Sequence, residues 1–195
     1  DKRHFTQSLA ELDAIISSKD FDPTSGFARE VFIKRGLSLF RLYRTSHASE
    51  AFKDFIERYP PGSYTATAHH YLGHCFSRLG RVEEALVEYL TVAGEMPGSD
   101  LAPNALLEAM RLFCKTGRNE EALKILDDLK ARYPRNARLI DADWHRGWIL
   151  YNQGEWEMAR KAFGTCRGEN LSDRLRNTYW MGRCLERAGE KDKAW

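Results

Sequence analysis

His70 and His74 stand four residues apart, so on a helix they share one face. Two imidazoles at that spacing can grip a metal ion. No Glu or third ligand accompanies them, and zinc sites use at least three protein ligands. The pair is therefore expected to be solvated or to face a substrate, with no metal and no cofactor. His69 points to another face. The cysteines Cys75, Cys114, Cys166 and Cys184 form neither a CxxC nor a Cys/His zinc spacing. Each sits among apolar neighbours and reads as a small buried hydrophobe.

Two further sets could recognise a ligand. Trp144, Trp148 and Tyr151 fall at i, i+4 and i+7, offering flat apolar faces at one-turn spacing. Sugar rings or a docked domain could stack there; alternatively the rings fill a core, since large aromatics dominate core energetics. Arg111, Arg183 and His74 would lie near such a platform. Arg41, Arg78, Lys115 and Arg187 recur in the last turns of the first helices of successive repeats, with Asn152 interrupting the row. There they either offset the helix macrodipole, by about 0.3–1 kcal/mol each, or attract carboxylates of a peptide or glycan.

Nothing points to catalysis within the chain. The acidic residues fall in EE and DD pairs on polar helix faces. No nucleophile motif and no Gly-rich phosphate loop is present. The formal net charge is +2, which demands no polyanion and so argues against nucleic acid. No apolar run approaches the length of a membrane span. The chain opens on Asp1 and closes on Ala194-Trp195 inside an unfinished helical pattern. It is expected to be part of a longer protein.

The elements that position these residues are set by a repeat. Gly80, Gly117 and Gly154 lie 37 residues apart. Ala48, Ala85, Ala122 and Ala159 keep that interval, as do Phe52, Tyr89, Leu126 and Phe163, and Pro60, Pro97 and Pro134. Gly36, Gly73 and Gly147 fit it too, with Met110 standing in once. One supersecondary unit is copied along the chain. Within a copy, a helix from about Tyr64 to Leu79 is followed by a turn at Gly80, where a residue without a Cβ can turn left-handed. A second helix carries Val82, Ala85, Leu86, Tyr89 and Leu90 on one stripe and stops before Pro97. Ser63, Ser99 and Asn136 are placed to cap the following helices. Gly73 and Ala85 are small because the two helices approach closely there.

This unit resembles the tetratricopeptide repeat, a helix pair with small residues at two crossings, an aromatic in the second helix and a proline at its end. The resemblance implies an all-α fold: a right-handed superhelical array of antiparallel helix pairs forming one solenoid over residues 1–195. Residues 1–26 supply an N-terminal helix, striped by Phe5, Leu9, Leu12 and Ile16, and a connection. Repeats follow at about 27–62, 63–99, 100–136 and 137–171, with a truncated copy at 172–195 marked by Gly182, Gly189 and Ala194. Chaperone adaptors of this family clamp a peptide C-terminus with Lys and Asn. The corresponding groove positions here, Ile33, Leu37, His70, His74, Leu107 and Arg111, do not match.

Three stretches carry a finer resemblance. AFKDFIERYPPGSYTATAHHYLGHCFSRLGRVEEAL is similar to repeats of bacterial envelope proteins, including the outer-membrane barrel-assembly lipoproteins. WHRGWILYNQGEWEMARKAF and NTYWMGRCLERAGEKDKAW resemble the helical superdomain of soluble lytic murein transglycosylases. Trp144, Arg146, Gly147, Trp148, Tyr151, Gly154, Ala159 and Phe163 match one motif of that family, with His145 separating the Trp and Arg. Tyr179, Trp180, Arg183, Leu185, Glu186 and Gly189 match the next. The family's catalytic Glu-Ser, GLMQ and AYNAG segments are absent, so no catalytic residue carries over. The resemblance implies a non-catalytic arm in the periplasm or cell envelope. It would guide glycan strands of peptidoglycan or hold a catalytic domain. A stand-alone protein-binding adaptor of the envelope is the alternative. The repeat register makes His70, His74, Arg78, Arg111, Lys115, Trp144, Trp148, Tyr151 and Arg183 the candidate binding residues of the concave face.

Overall fold

The computed structural model describes residues 2–62, 64–134, 139–166 and 170–190, with the backbone alone at 139–141. Among the described residues every regular element is an α-helix. In chain order these are α1 (Lys2–Ile16), α2 (Gly26–Arg41), α3 (Thr45–Arg58), α4 (Thr65–Arg78), α5 (Val82–Glu95), α6 (Ala102–Lys115), α7 (Asn119–Arg132), α8 (Leu139–Gln153), α9 (Trp156–Thr165) and α10 (Leu171–Arg187). They fall into two compact units, Asp1–Ala109 and Met110–Trp195, with the boundary inside α6. In the first unit α1 packs on α2, α2 on α3, α3 on α4 and α4 on α5, and α2 also touches α4. In the second, α7 packs on α8, α8 on α9 and α9 on α10.

The hairpins α2/α3, α4/α5, α6/α7 and α8/α9 each turn within a few residues, which makes their two helices antiparallel. We call the first helix of each pair A and the second B. The turns share one closure. Arg81 N–H donates to Phe76 O at 2.9 Å and Gly80 N–H to Ser77 O at 3.2 Å. This satisfies carbonyls that the ending helix would otherwise leave open, and it requires a left-handed residue at position 80. The same bonds recur at Arg118 to Phe113, Glu155 to Leu150 and Glu190 to Leu185. Gly80, Gly117, Gly154 and Gly189 accordingly have φ of 76°, 75°, 84° and 85°. The first turn closes identically, Arg44 to Leu39, but its left-handed residue is Tyr43, with φ 61°. A side chain there costs about 1–2 kcal/mol of backbone strain.

The A-helix glycines answer to an aromatic ring. A Cβ on Gly36 would sit 2.7 Å from the Phe52 ring, on Gly73 2.8 Å from Tyr89, and on Gly147 2.6 Å from Phe163. Each ring belongs to the B helix of the same hairpin, and Phe52, Tyr89 and Phe163 are all fully buried. The third hairpin exchanges volume between the two positions, with Met110 in the A helix and Leu126 in the B helix, both fully buried. Ala48, Ala85, Ala122 and Ala159 are at 0% exposure. In α5 the buried stripe is Ala85, Leu86, Tyr89, Val92 and Ala93. Leu90, expected on it, is exposed, because it lies at the edge of the packed face.

Leu9 and Leu12 bury the stripe of α1, and Asp13 bonds Arg35 of α2 at 2.6 Å. Ser25 caps α2 by accepting from Ala28 N–H at 3.1 Å. Ser99 accepts from Leu101 N–H at 3.2 Å, one turn ahead of the helix it was expected to cap. Asn170 caps α10. The capping residues Ser63 and Asn136, and the fifth-copy mark Ala194, lie outside the described residues.

Gly73→Ala and Gly147→Ala should each destabilise the fold by about 1–3 kcal/mol, because the new methyl overlaps a ring that has no room to move. Gly94→Ala is the control. Nothing lies within 4 Å of a Cβ there. It should be neutral or stabilising by up to about 1 kcal/mol. Equal urea midpoints for all three variants would contradict the packing described.

Candidate functional site

A groove opens in the first unit where α1, α2 and α4 meet. It encloses about 310 Å³ and is lined by His4, Phe5, Ser8, Lys34, Leu37, Ser38, Arg41 and Tyr71. Lys34 is tied to Glu30 at 2.6 Å. Its floor continues into an aromatic cluster. Phe40 meets Tyr71 edge-on at 5.1 Å, and Tyr71 stacks near Phe52 at 6.0 Å.

The histidines belong to that cluster, which corrects the expectation of solvation for His70, while His74 is half-buried. His70 is 6% exposed. Its Nε2 lies 3.2 Å from Nε2 of His74, and Nδ1 of His74 lies 2.9 Å from the Tyr89 hydroxyl. One Nε2 must carry the proton and the other accept it. The rings of Tyr71 and Tyr89 pack around both histidines and exclude water from His70. His69, on a neighbouring face, bonds Glu88 of α5 at 2.6 Å and so clips the hairpin together. Among the described residues no group of three or more His, Cys, Asp or Glu is placed to hold a metal ion.

Arg41, Arg78, Lys115 and Arg187 are each the final residue of their helix and are exposed. Arg78 reaches across to α2. Its guanidinium lies 3.8 Å from the Phe40 ring centroid and 5.1 Å from that of Tyr43, and it donates to Phe40 O at 3.3 Å. Lys2 of α1 sits 5.9 Å above the other neighbour of that turn, the Tyr43 ring. The residues Tyr43, Lys2 and His4 were not singled out from sequence. Tyr43 was visible in principle, since it occupies the register of Gly80, Gly117 and Gly154. Arg111 is exposed on α6.

In the second unit Trp144, Trp148 and Tyr151 form a half-buried row on α8. Successive rings are 6.0 Å apart and within 7° of parallel. Trp180 of α10 closes on the row edge-on, 4.7 Å from Trp148 and 5.2 Å from Tyr151. Trp156 meets Tyr151 at 5.0 Å, and Arg176 lies 4.8 Å over Trp144. The row packs against a core of Leu150, Ala159, Ala162, Phe163 and Cys184. Asp143 and Arg146, poor core residues by type, turn the other way. Asp143 pairs with Lys130 and Arg146 with Asp127, both on α7. Arg183 pairs with Glu186 at 2.7 Å.

Family profiles of the tetratricopeptide repeat match residues 33–100, 104–136 and 141–169, more than half of the chain. The chain belongs to the tetratricopeptide repeat family, whose stacked helix pairs act as scaffolds for protein interaction. Solved structures share the fold. The crystal structure of MamA is 17% identical with a TM-score of 0.69, over 87% of this chain and 87% of that one. BtubC from P. vanneervenii is 15% identical with a TM-score of 0.72, over 99% and 85%. YrrB, described as a TPR protein with an unusual peptide-binding site, is 16% identical with a TM-score of 0.64, over 100% and 88%.

Two measurements check this description. Burial pushes the Cys75 thiol up to about 12 and that of Cys184 up to about 11. A raised thiol pKa means less thiolate at pH 8, and the thiolate is the nucleophile. Cys75 and Cys184 should therefore resist Ellman's reagent in the native protein, whereas all four cysteines react after unfolding. Rapid native labelling of Cys75 would contradict its burial. Separately, Trp148→Ala should cost about 3 kcal/mol, because it removes the ring that Trp180 closes on. A melting temperature unchanged by that variant would make the row a surface feature instead.

Proposed function

We propose that this chain binds an extended protein or peptide segment and performs no catalysis itself. The observation that carries the reading is the open groove of α1, α2 and α4, which presents Leu37, Phe5 and Tyr71 as apolar contacts beside polar and basic groups. Pockets that bind are mostly apolar with a few placed polar groups. Of the candidate residues, His70 and His74 support the wall of this groove and Arg78 borders it. The proposal takes residues 1–195 as one array of repeats, at 27–62, 63–99, 100–136 and 137–171, with a truncated copy at 172–195.

A finer reading rests on the motif resemblance of residues 140–195 and on the aromatic row. In it the chain is the non-catalytic arm of a periplasmic lytic transglycosylase. Trp144, Trp148 and Tyr151 would contact glycan, with Arg111, Lys115 and Arg183 toward stem-peptide carboxylates. The alternative is an envelope adaptor resembling the barrel-assembly lipoproteins, with a protein partner only. Both readings propose the cell envelope as the location.

Selection of short random peptides on the immobilised chain tests the first reading. Peptides should be recovered, and Leu37→Gln should weaken them about tenfold, the worth of one lost apolar contact, without unfolding the chain. Failure to recover any peptide, or binding indifferent to Leu37, would sink it. Co-sedimentation with purified peptidoglycan separates the finer readings: retention supports the glycan-guiding arm, and passage into the supernatant supports the adaptor.

A further inference from the structure

The turn between α2 and α3 breaks the rule kept by every other turn of its kind among the described residues. Its left-handed position holds Tyr43, where Gly80, Gly117, Gly154 and Gly189 stand elsewhere. The ring gains little burial in return, being 69% exposed. Strain held at an exposed aromatic is a mark of function rather than of packing. Two cations flank that ring, Lys2 at 5.9 Å and Arg78 at 5.1 Å, and Arg41 ends the helix two residues before it. None of Lys2, Arg41 and Arg78 has a carboxylate partner among the described residues. Several cations elsewhere do: Arg81 has Glu84, Arg118 has Glu121, Arg146 has Asp127 and Arg160 has Glu157. Arg41 also lines the groove, so the basic cluster and the groove are continuous.

We propose that Lys2 and Arg78, which flank the Tyr43 ring, and Arg41, which lines the groove two residues before it, form an anchoring site for the side-chain carboxylates of an acidic peptide segment whose apolar residues enter the adjoining groove. The inference rests on the peptide-binding reading and adds the chemistry of the partner. Arg78 is held by stacking on Phe40 and by its bond to Phe40 O, which leaves the rest of its guanidinium for a carboxylate. Arginine in a fixed plane suits a carboxylate because two parallel N–H groups meet two oxygens. The aromatic ring holds two like charges close together without neutralising them, through its electron-rich face. The cluster is a single spot of three cations rather than a track, which fits Asp or Glu in a peptide better than the regularly spaced phosphates of a nucleic acid.

The peptide selection is read for composition, and its winners are measured by fluorescence anisotropy against the full chain and its variants. Winning peptides should be enriched in Asp and Glu. Replacing those residues by Asn and Gln, or raising the salt, should weaken binding. Arg41→Gln and Arg78→Gln should each weaken it about tenfold, the worth of one charge-assisted hydrogen bond. Tyr43→Gly is the diagnostic variant. It should melt no lower than wild type, since the strain is released, yet bind about tenfold more weakly. Winning peptides without acidic residues that still depend on Leu37 would overturn this inference and leave the groove reading standing. Acidic peptides that depend on Arg41 and Arg78 but not on Leu37 would overturn the groove reading, and with it the seating of apolar residues there, and leave only the carboxylate anchor. Displacement by oligo-dT with higher affinity than the acidic peptide, or a Tyr43→Gly variant that binds like wild type, would also overturn it.

Discussion

Everything in this chain depends on how closely two helices of one hairpin can approach, and that distance is set by a ring lying flat against a bare α-carbon. Gly36 with Phe52, Gly73 with Tyr89 and Gly147 with Phe163 make the same contact three times. The aromatic supplies buried area, while the glycine lets that area be gained without pushing the backbones apart. Removing the side chain from the A helix costs some helical propensity, roughly 0.5–1 kcal/mol. A buried aromatic recovers more than that. The same spacing then presents a regular outer face on which the next hairpin can lie.

The period was legible because it is written in residues that have few substitutes. A left-handed turn wants glycine, a helix crossing wants alanine or glycine, and a proline ends a helix, so all three columns recur at a fixed interval. The partner of each glycine was not legible. Gly73 and Ala85 were expected small because the two helices approach closely; the atom-level contact that forces Gly73 is the Tyr89 ring, one turn beyond Ala85 on the B helix. Periodicity tells which residues share a face but not which atoms meet across it.

The candidate site was less legible for the same reason. A histidine pair at one-turn spacing looks solvated on a helical wheel. Whether the pair sees water depends on Tyr71 and Tyr89 around His70 and on Phe40 beside His74, residues that come from three helices. Asp143 and Arg146 are poor core residues by type, yet they are half-buried and paired with Lys130 and Asp127 of the preceding helix. Those pairs turn one side of α8 toward α7 and leave the tryptophan side for α9 and α10. Tyr43 was hidden by its failure to repeat. A search for recurrence passes over a position where recurrence stops.

The closure of each turn by backbone alone has a consequence for how such a chain can change length. The bond from Arg81 to Phe76, or from Arg118 to Phe113, names no side chain beyond the left-handed residue. The glycine and its ring also lie within one hairpin. A hairpin therefore carries its own closure and its own spacing with it. Unequal crossing-over that adds or deletes whole hairpins would leave every internal contact of the survivors intact. The first hairpin is the exception: its turn carries Tyr43 and its neighbours lean on that ring. Lineages of this chain should gain and lose copies in the middle of the array while its first turn is inherited unchanged.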